Sequence, residues 1–118
     1  MLRTLAGTDV LTARHVVMAA REGDSLAKAL LHEEARLLGI GFVNLLHLYS
    51  PERIVVGGGL SAALDLMQAE IDLTIAGRAL APYRGVPVVA TALGPHAGLV
   101  GAACLILLPE EGGGPPLV

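Results

Sequence analysis

RIVVGGGLSAALD, residues 53–65, opens on a charge, runs through the β-branched Ile54, Val55 and Val56, and then sets Gly57, Gly58 and Gly59 ahead of Ser61 and an apolar stretch. A β-branched run closed by glycines reads as a short buried strand ending in a turn. Glycine admits a positive φ and lets another group approach the backbone without meeting a Cβ. A strand–glycine–helix junction also leaves N–H groups free at the start of the helix, and these attract anions or polar ligand atoms. On this stretch alone, a nucleotide-facing loop and a tight structural turn both remain open.

Two glycine motifs can be tested against it. Gly57-x-Gly59-x-x-Ala62 satisfies the loose dinucleotide fingerprint, but that motif wants an acid at the end of the next strand to hold a ribose. The next strand ends at Ala90-Thr91-Ala92, without one. The P-loop needs Lys and Ser/Thr after its glycines, and Leu60-Ser61-Ala62 stands there instead.

Working outward, Thr12 is placed to cap a helix over residues 13–21, closed by Gly23. Asp24 is a good N-cap for a long helix from Ser25 to about Leu48, with Leu26, Leu30, Leu31, Ala35, Leu38, Phe42, Leu45, Leu46 and Leu48 at helical spacing. Gly39 and Gly41 lie inside that helix, where each costs up to ~1 kcal/mol against Ala, so both predict close packing on another element. Ser50-Pro51 stops it, because the residue before Pro is pushed out of the α region. Residues 53–56 form the first strand. Ser61 or its neighbour caps a third helix over about 62–80, with Leu64, Met67, Ile71, Ile75 and Leu80 on one side. Residues 86–91 form a second strand and Gly94-Pro95 a turn. A final helix over 97–108 is rich in small residues. The order α-α-β-α-β-α implies parallel strands joined by a right-handed crossover. Two strands make a poor parallel sheet, so the chain reads as part of an α/β layer.

Hydrophobic residues make up 53% and charged residues 16% of the 118 positions. That exceeds what a small domain needs for its own core and implies a covered face, either an interface between copies or a neighbouring domain. Formal net charge is −3 and the basic residues are scattered, which argues against a nucleic-acid surface. Cys104 is the sole cysteine, so no internal disulfide forms. No signal pattern opens the chain, and its longest apolar run is shorter than a membrane span requires. A soluble, cytoplasmic protein is expected.

GIGFVNLLHLYSPERIVVGGGLS (residues 39–61) followed by LGPHAGLVGAA (residues 93–103) resembles the C-terminal lobe of the ROK family. That family holds bacterial sugar kinases, glucokinases among them, and sugar-responsive repressors. The resemblance covers about residues 13–108. It implies an α/β fold that is a partial actin/hexokinase-like (RNase H-like) ATPase C-terminal lobe over 1–108, with a flexible tail over 109–118. It also implies that Gly57, Gly58 and Gly59 lie against adenosine, that Ser61 starts the helix behind them, and that Ala97, Gly98, Gly101 and Ala102 let the final helix pack beside the nucleotide cleft. The expected nucleotide-binding set is therefore Gly57, Gly58, Gly59, Ser61, Ala97 and Gly98.

The departures from the family are equally informative. The phosphate loop of the D-x-G-x-T type and the catalytic Asp have no counterpart here. One cysteine cannot supply the family's zinc motif. LRTLAG at residues 2–7 faintly resembles the stretch after that motif, which would set Arg3 where a sugar-binding Glu stands. Pro95-His96 occupies the place of the acidic or amide residue that usually precedes the AG pair. ATP with Mg is expected for the full-length family, zinc and catalytic residues are not expected in this chain, and the chain alone should be inactive. The N-terminal lobe and a second copy are the expected partners. A repressor's effector lobe and a self-associating structural piece are the alternatives.

His15, His32, His47 and His96 show no metal-ligand spacing and are expected to be exposed or singly bonded. Glu33-Glu34 reads as a solvated face or one turned to a domain partner, Asp65 and Asp72 as an exposed acidic face, and Cys104 as a small core residue.

Overall fold

The computed structural model describes residues 10–107. The readings of Arg3 and of the tail over 109–118 lie outside the described residues. Helix α1 spans Ala13–Arg21 and α2 Ser25–Tyr49. Strand β1 is Ile54–Val56, followed by a 3₁₀ turn over Gly59–Ala63 and helix α3 over Leu64–Arg78. Strand β2 is Val88–Ala90; a 3₁₀ turn over Gly94–His96 then leads into helix α4, Ala97–Leu107.

The helix starts follow their caps. The Thr12 N–H donates to His15 Nδ1 at 3.2 Å at the start of α1. Asp24 accepts from the Ala27 N–H at 2.8 Å at the start of α2. Gly23, at φ +98°, makes the left-handed turn between the two helices. Helix α2 ends at Ser50, which adopts the left-handed conformation (φ 46°, ψ 48°) rather than the extended one expected before a proline. Its hydroxyl bonds the Tyr83 phenol at 2.9 Å.

Helices α2 and α3 cross at the centre of the molecule and supply most of the core. Ala27, Leu31, Ala35, Phe42 and Leu46 are buried on α2. Leu64, Met67, Ile71 and Ile75 meet them from α3. The close packing expected of Gly39 is present: a Cβ there would stand 2.7 Å from Thr74 Cβ on α3. Gly41 is different, since a Cβ there would meet nothing within 4 Å. Leu80 leaves the apolar side of α3, because the helix stops at Arg78 and the chain turns extended at Ala79. Leu80 is exposed, with its N–H donating to His47 Nε2 at 3.1 Å.

The strands pair in parallel, with Ile54 opposite Val88, Val55 opposite Val89 and Val56 opposite Ala90. Ile54 and Val88 point into the core, whereas Val55 and Val89 are exposed. One face of the sheet is thus bare, although parallel sheets ordinarily have both faces covered. Helix α4 buries no residue. Cys104 is accordingly half-buried and outside the core it was expected to join.

Candidate functional site: a neutral glycine cleft at the strand ends

Parallel pairing places the C-terminal ends of β1 and β2 at one edge, the edge where open α/β sheets bind ligands. The Thr91 N–H donates to Val56 O at 2.9 Å and carries the ladder one step beyond the strands. The glycine turn leaves β1 there and the 94–96 turn follows β2. Between them lies a cleft of about 230 Å³, lined by Gly58, Gly59, Ser61 and Ala62 on one side and by Ala90, Thr91, Gly94 and Pro95 on the other.

The three glycines serve different ends. Gly58 sits at φ 94°, ψ −174°, a region open essentially to glycine alone, so the backbone itself demands it. A Cβ on Gly57 would make ordinary contacts with Thr91 Cγ2 at 3.8 Å and Ala97 Cβ at 3.9 Å. A Cβ on Gly59 would meet nothing within 4 Å. Among the described residues nothing requires glycine at Gly59, which lines the cleft, and its bare backbone leaves the cleft open.

Ser61 does not cap α3, as the sequence suggested. The chain winds first as a 3₁₀ turn, and α3 begins three residues later with Ala63 at its cap. The Ser61 hydroxyl reaches back and donates to Gly58 O at 2.7 Å, closing the turn on itself. Arg21 holds the same turn from outside. It donates to Ala62 O at 3.1 Å and forks onto Asp65 at 2.9 and 3.0 Å. The hydrogen bond from Arg21, foremost, holds the Asp65 carboxyl below its ordinary range. Asp72 accepts from the Gln68 amide at 2.9 Å, and both carboxylates lie exposed, as the sequence reading expected.

Of the six sequence-predicted residues, Gly57, Gly58, Gly59, Ser61 and Ala97 come together at this edge. Gly98 is exposed, and a Cβ there would meet nothing within 4 Å. Among the described residues, none on its helix is buried. Sequence reading missed Thr91 and Gly94 (φ +66°). Their signal was position, since both follow the end of the second strand. Pro95 lines the cleft and the neighbouring His96 is exposed.

No charged side chain lines the cleft. It can receive a flat, neutral group against small side chains and backbone. It offers no cation to a triphosphate and no carboxylate to Mg²⁺. At about 230 Å³ it is also smaller than the ~300–1,000 Å³ typical of complete small-molecule sites, so it is one wall of a site. A larger hollow of about 530 Å³ adjoins the cleft, sharing Gly59 and Ala62 and reaching Arg14 and Val17 on α1, and one of about 460 Å³ lies between α2 and α3. The second carries the His32–Glu70 pair at 3.1 Å. Among the described residues, no three His, Cys, Asp or Glu side chains gather as a metal site, and no helix is long and apolar enough to cross a membrane.

The fold is shared with known proteins. The pattern of the ROK family matches residues 3–108, and the chain belongs to that family. It is 36% identical over 106 residues to the glucokinase of Streptomyces coelicolor, covering 86% of this chain and 33% of the relative. It is 31% identical over 99 residues to the DNA-binding transcriptional dual regulator NagC of Escherichia coli, covering 83% of this chain and 24% of that protein. Among solved structures it matches the ROK family glucokinase of Streptomyces griseus in complex with glucose and AMPPNP. The TM-score is 0.74 at 34% identity, over 88% of this chain and 35% of that one. The chain thus spans about a third of the length of these glucokinases.

Proposed function

We propose that this chain is the adenosine-side portion of an ATP-dependent sugar kinase with the actin/hexokinase-like fold. The observation that supports this best is the match across 88% of the chain to a glucokinase crystallised with glucose and an ATP analogue. Gly57, Gly58, Gly59 and Ser61 would form one wall for the nucleoside, and Ala97 and Gly98 its neighbour at the head of α4. ATP, when bound, would supply the γ-phosphoryl group. This chain's part is to hold and orient the neutral end of the nucleotide. A base for the sugar hydroxyl and cationic groups for the phosphates would have to come from the rest of a kinase, so catalysis by this chain alone is not expected. A cytoplasmic setting agrees with that activity.

The match to NagC supports a second reading, the effector lobe of a repressor. Thermal unfolding separates the two. With Mg·ATP at ten times its Kd, a bound nucleotide adds about 1.4 kcal/mol, or roughly 5–10 °C in Tm. Gly59→Leu should keep the unliganded Tm and lose that rise, because its side chain enters space that is open without ligand. Gly58→Ala should instead lower the unliganded Tm, at a cost of about 1–3 kcal/mol for its backbone conformation. A rise with ATP that survives Gly59→Leu would place the nucleotide elsewhere. A rise with a hexose or amino sugar but none with ATP would favour the repressor reading.

A further inference from the structure

The glycine turn that walls the cleft is weakly held by its own residues. It starts from glycines, which have no side chain to anchor it. A 3₁₀ turn also bonds with poor geometry. Two of its bonds, from the Ser61 N–H at 3.1 Å and the Ser61 hydroxyl at 2.7 Å, fall on the same Gly58 oxygen. Its far end is anchored, because Ala63 and Leu64 are buried. Between these ends lies Ala62, whose carbonyl accepts from Arg21 Nη2 at 3.1 Å.

Arg21 reaches that carbonyl from a fixed point. Ala19 and Ala20, just before it, are buried in the core. The end of α1 is closed by the Gly23 N–H on Ala20 O at 3.1 Å and the Asp24 N–H on Ala19 O at 3.0 Å. Asp65, in the first turn of α3, accepts from Nη1 at 3.0 Å and Nη2 at 2.9 Å. A fork of this kind fixes the plane of the guanidinium, and so aims Nη2 at Ala62. The two side chains are 47% and 60% exposed, and ion pairs so exposed add little to the stability of a fold. What this one determines is the place of residue 62, which lines both the cleft and the hollow beside it.

We propose that Arg21 is a positioning residue for the nucleotide: it sets the glycine turn in its ligand-receiving shape before the ligand arrives, and Asp65 aims it. The proposal rests on the nucleotide reading of the cleft. A wall ordered in advance spares the ligand the cost of ordering it, so the loss of Arg21 shows in affinity more than in stability.

Calorimetric titration of the full chain with Mg·ATP, combined with amide hydrogen exchange, tests this. Arg21→Met keeps a long stem and removes the donors. It should raise the Kd about fivefold or more through lost preorganisation, while the unliganded Tm changes by less than about 4 °C. Exchange at the Ser61 N–H should quicken, whereas the Thr91 N–H, bonded to Val56 O, should exchange as in the parent. Arg21→Lys offers Ala62 O a single donor and should recover part of the affinity. Asp65→Asn combined with Arg21→Met should weaken binding no more than Arg21→Met alone, because both act through one contact. ATP should in turn slow exchange at Ser61 in the parent. If Arg21→Met binds ATP as tightly as the parent, the role of Arg21 is overturned and the nucleotide reading stands. The role is equally overturned if the substitution lowers the Tm broadly and quickens exchange at Thr91 as much as at Ser61, since Arg21 would then serve the whole fold. A parent chain that binds no ATP would sink the nucleotide reading and this role with it.

Discussion

Gly39→Leu is expected to lower the Tm by more than about 10 °C. The first atom of a side chain at this position would stand 2.7 Å from Thr74 Cβ and 2.9 Å from Thr74 Cγ2, distances that no real pair of carbons adopts. Thr74 Cβ is rooted in the backbone of α3, so it yields only if the two helices move apart. Overpacking of this kind costs about 1–3 kcal/mol for a small insertion and more for a branched side chain. The better helix propensity returns at most ~1 kcal/mol, so the clash decides the sign. Each kcal/mol corresponds to about 4–8 °C in a domain of this size. A rescue series isolates the cause. Gly39→Ala combined with Thr74→Ala should stay destabilised, because the offending Cβ remains. Gly39→Ala combined with Thr74→Gly should show favourable coupling in a double-mutant cycle. A Gly39→Leu protein that melts with the parent would mean that α2 and α3 do not cross here. Gly41→Ala, two residues along the same helix, has the opposite expected sign.

That contrast marks what a linear sequence can express. Caps and breakers act over a few residues, so α1 appears with the boundaries its residues imply, Ala13–Arg21, and α2 starts at Ser25 behind Asp24. The parallel strands were legible because a crossover helix between two short strands leaves little choice. The glycines announced a special turn at residues 57–59. What the sequence did not express was contact between distant positions. Nothing near Gly39 indicates Thr74, thirty-five residues on, and nothing near Gly41 indicates that its side is empty. The same holds for α4. Its apolar residues show that it wants cover, but whether this chain supplies the cover is a tertiary fact, and Leu105 at 84% exposed gives the answer. Ser61 misled because a serine just before an apolar run is a usual capping residue. The 3₁₀ turn over Gly59–Ala63 moved the helix start beyond its reach, and its hydroxyl closes that turn instead.

The two leucines near the end of α2, Leu46 and Leu48, are alike in sequence terms and opposite in consequence. Leu46 has no exposed surface, while Leu48 is 73% exposed. Leu46→Ala should cost about 2–5 kcal/mol through lost burial and the cavity left behind, whereas Leu48→Ala in dilute solution should stay within about 0.5 kcal/mol. The larger loss bears on function as well as stability. Leu46 lies one turn before the end of the helix that leads into β1, and it belongs to the same buried cluster as Ile54 and Val88. A sheet of two three-residue strands has little hydrogen bonding of its own, so this cluster sets where the strands lie. The strands in turn fix where the glycine turn meets Thr91. Leu46→Ala should therefore diminish any ATP-dependent rise in Tm without touching a cleft residue, while Leu48→Ala should preserve it. Paired urea titrations and melts with and without Mg·ATP read both effects. If the two variants lose equal stability in dilute solution, α2 is rotated from the position described, and the glycine cleft does not rest on this core.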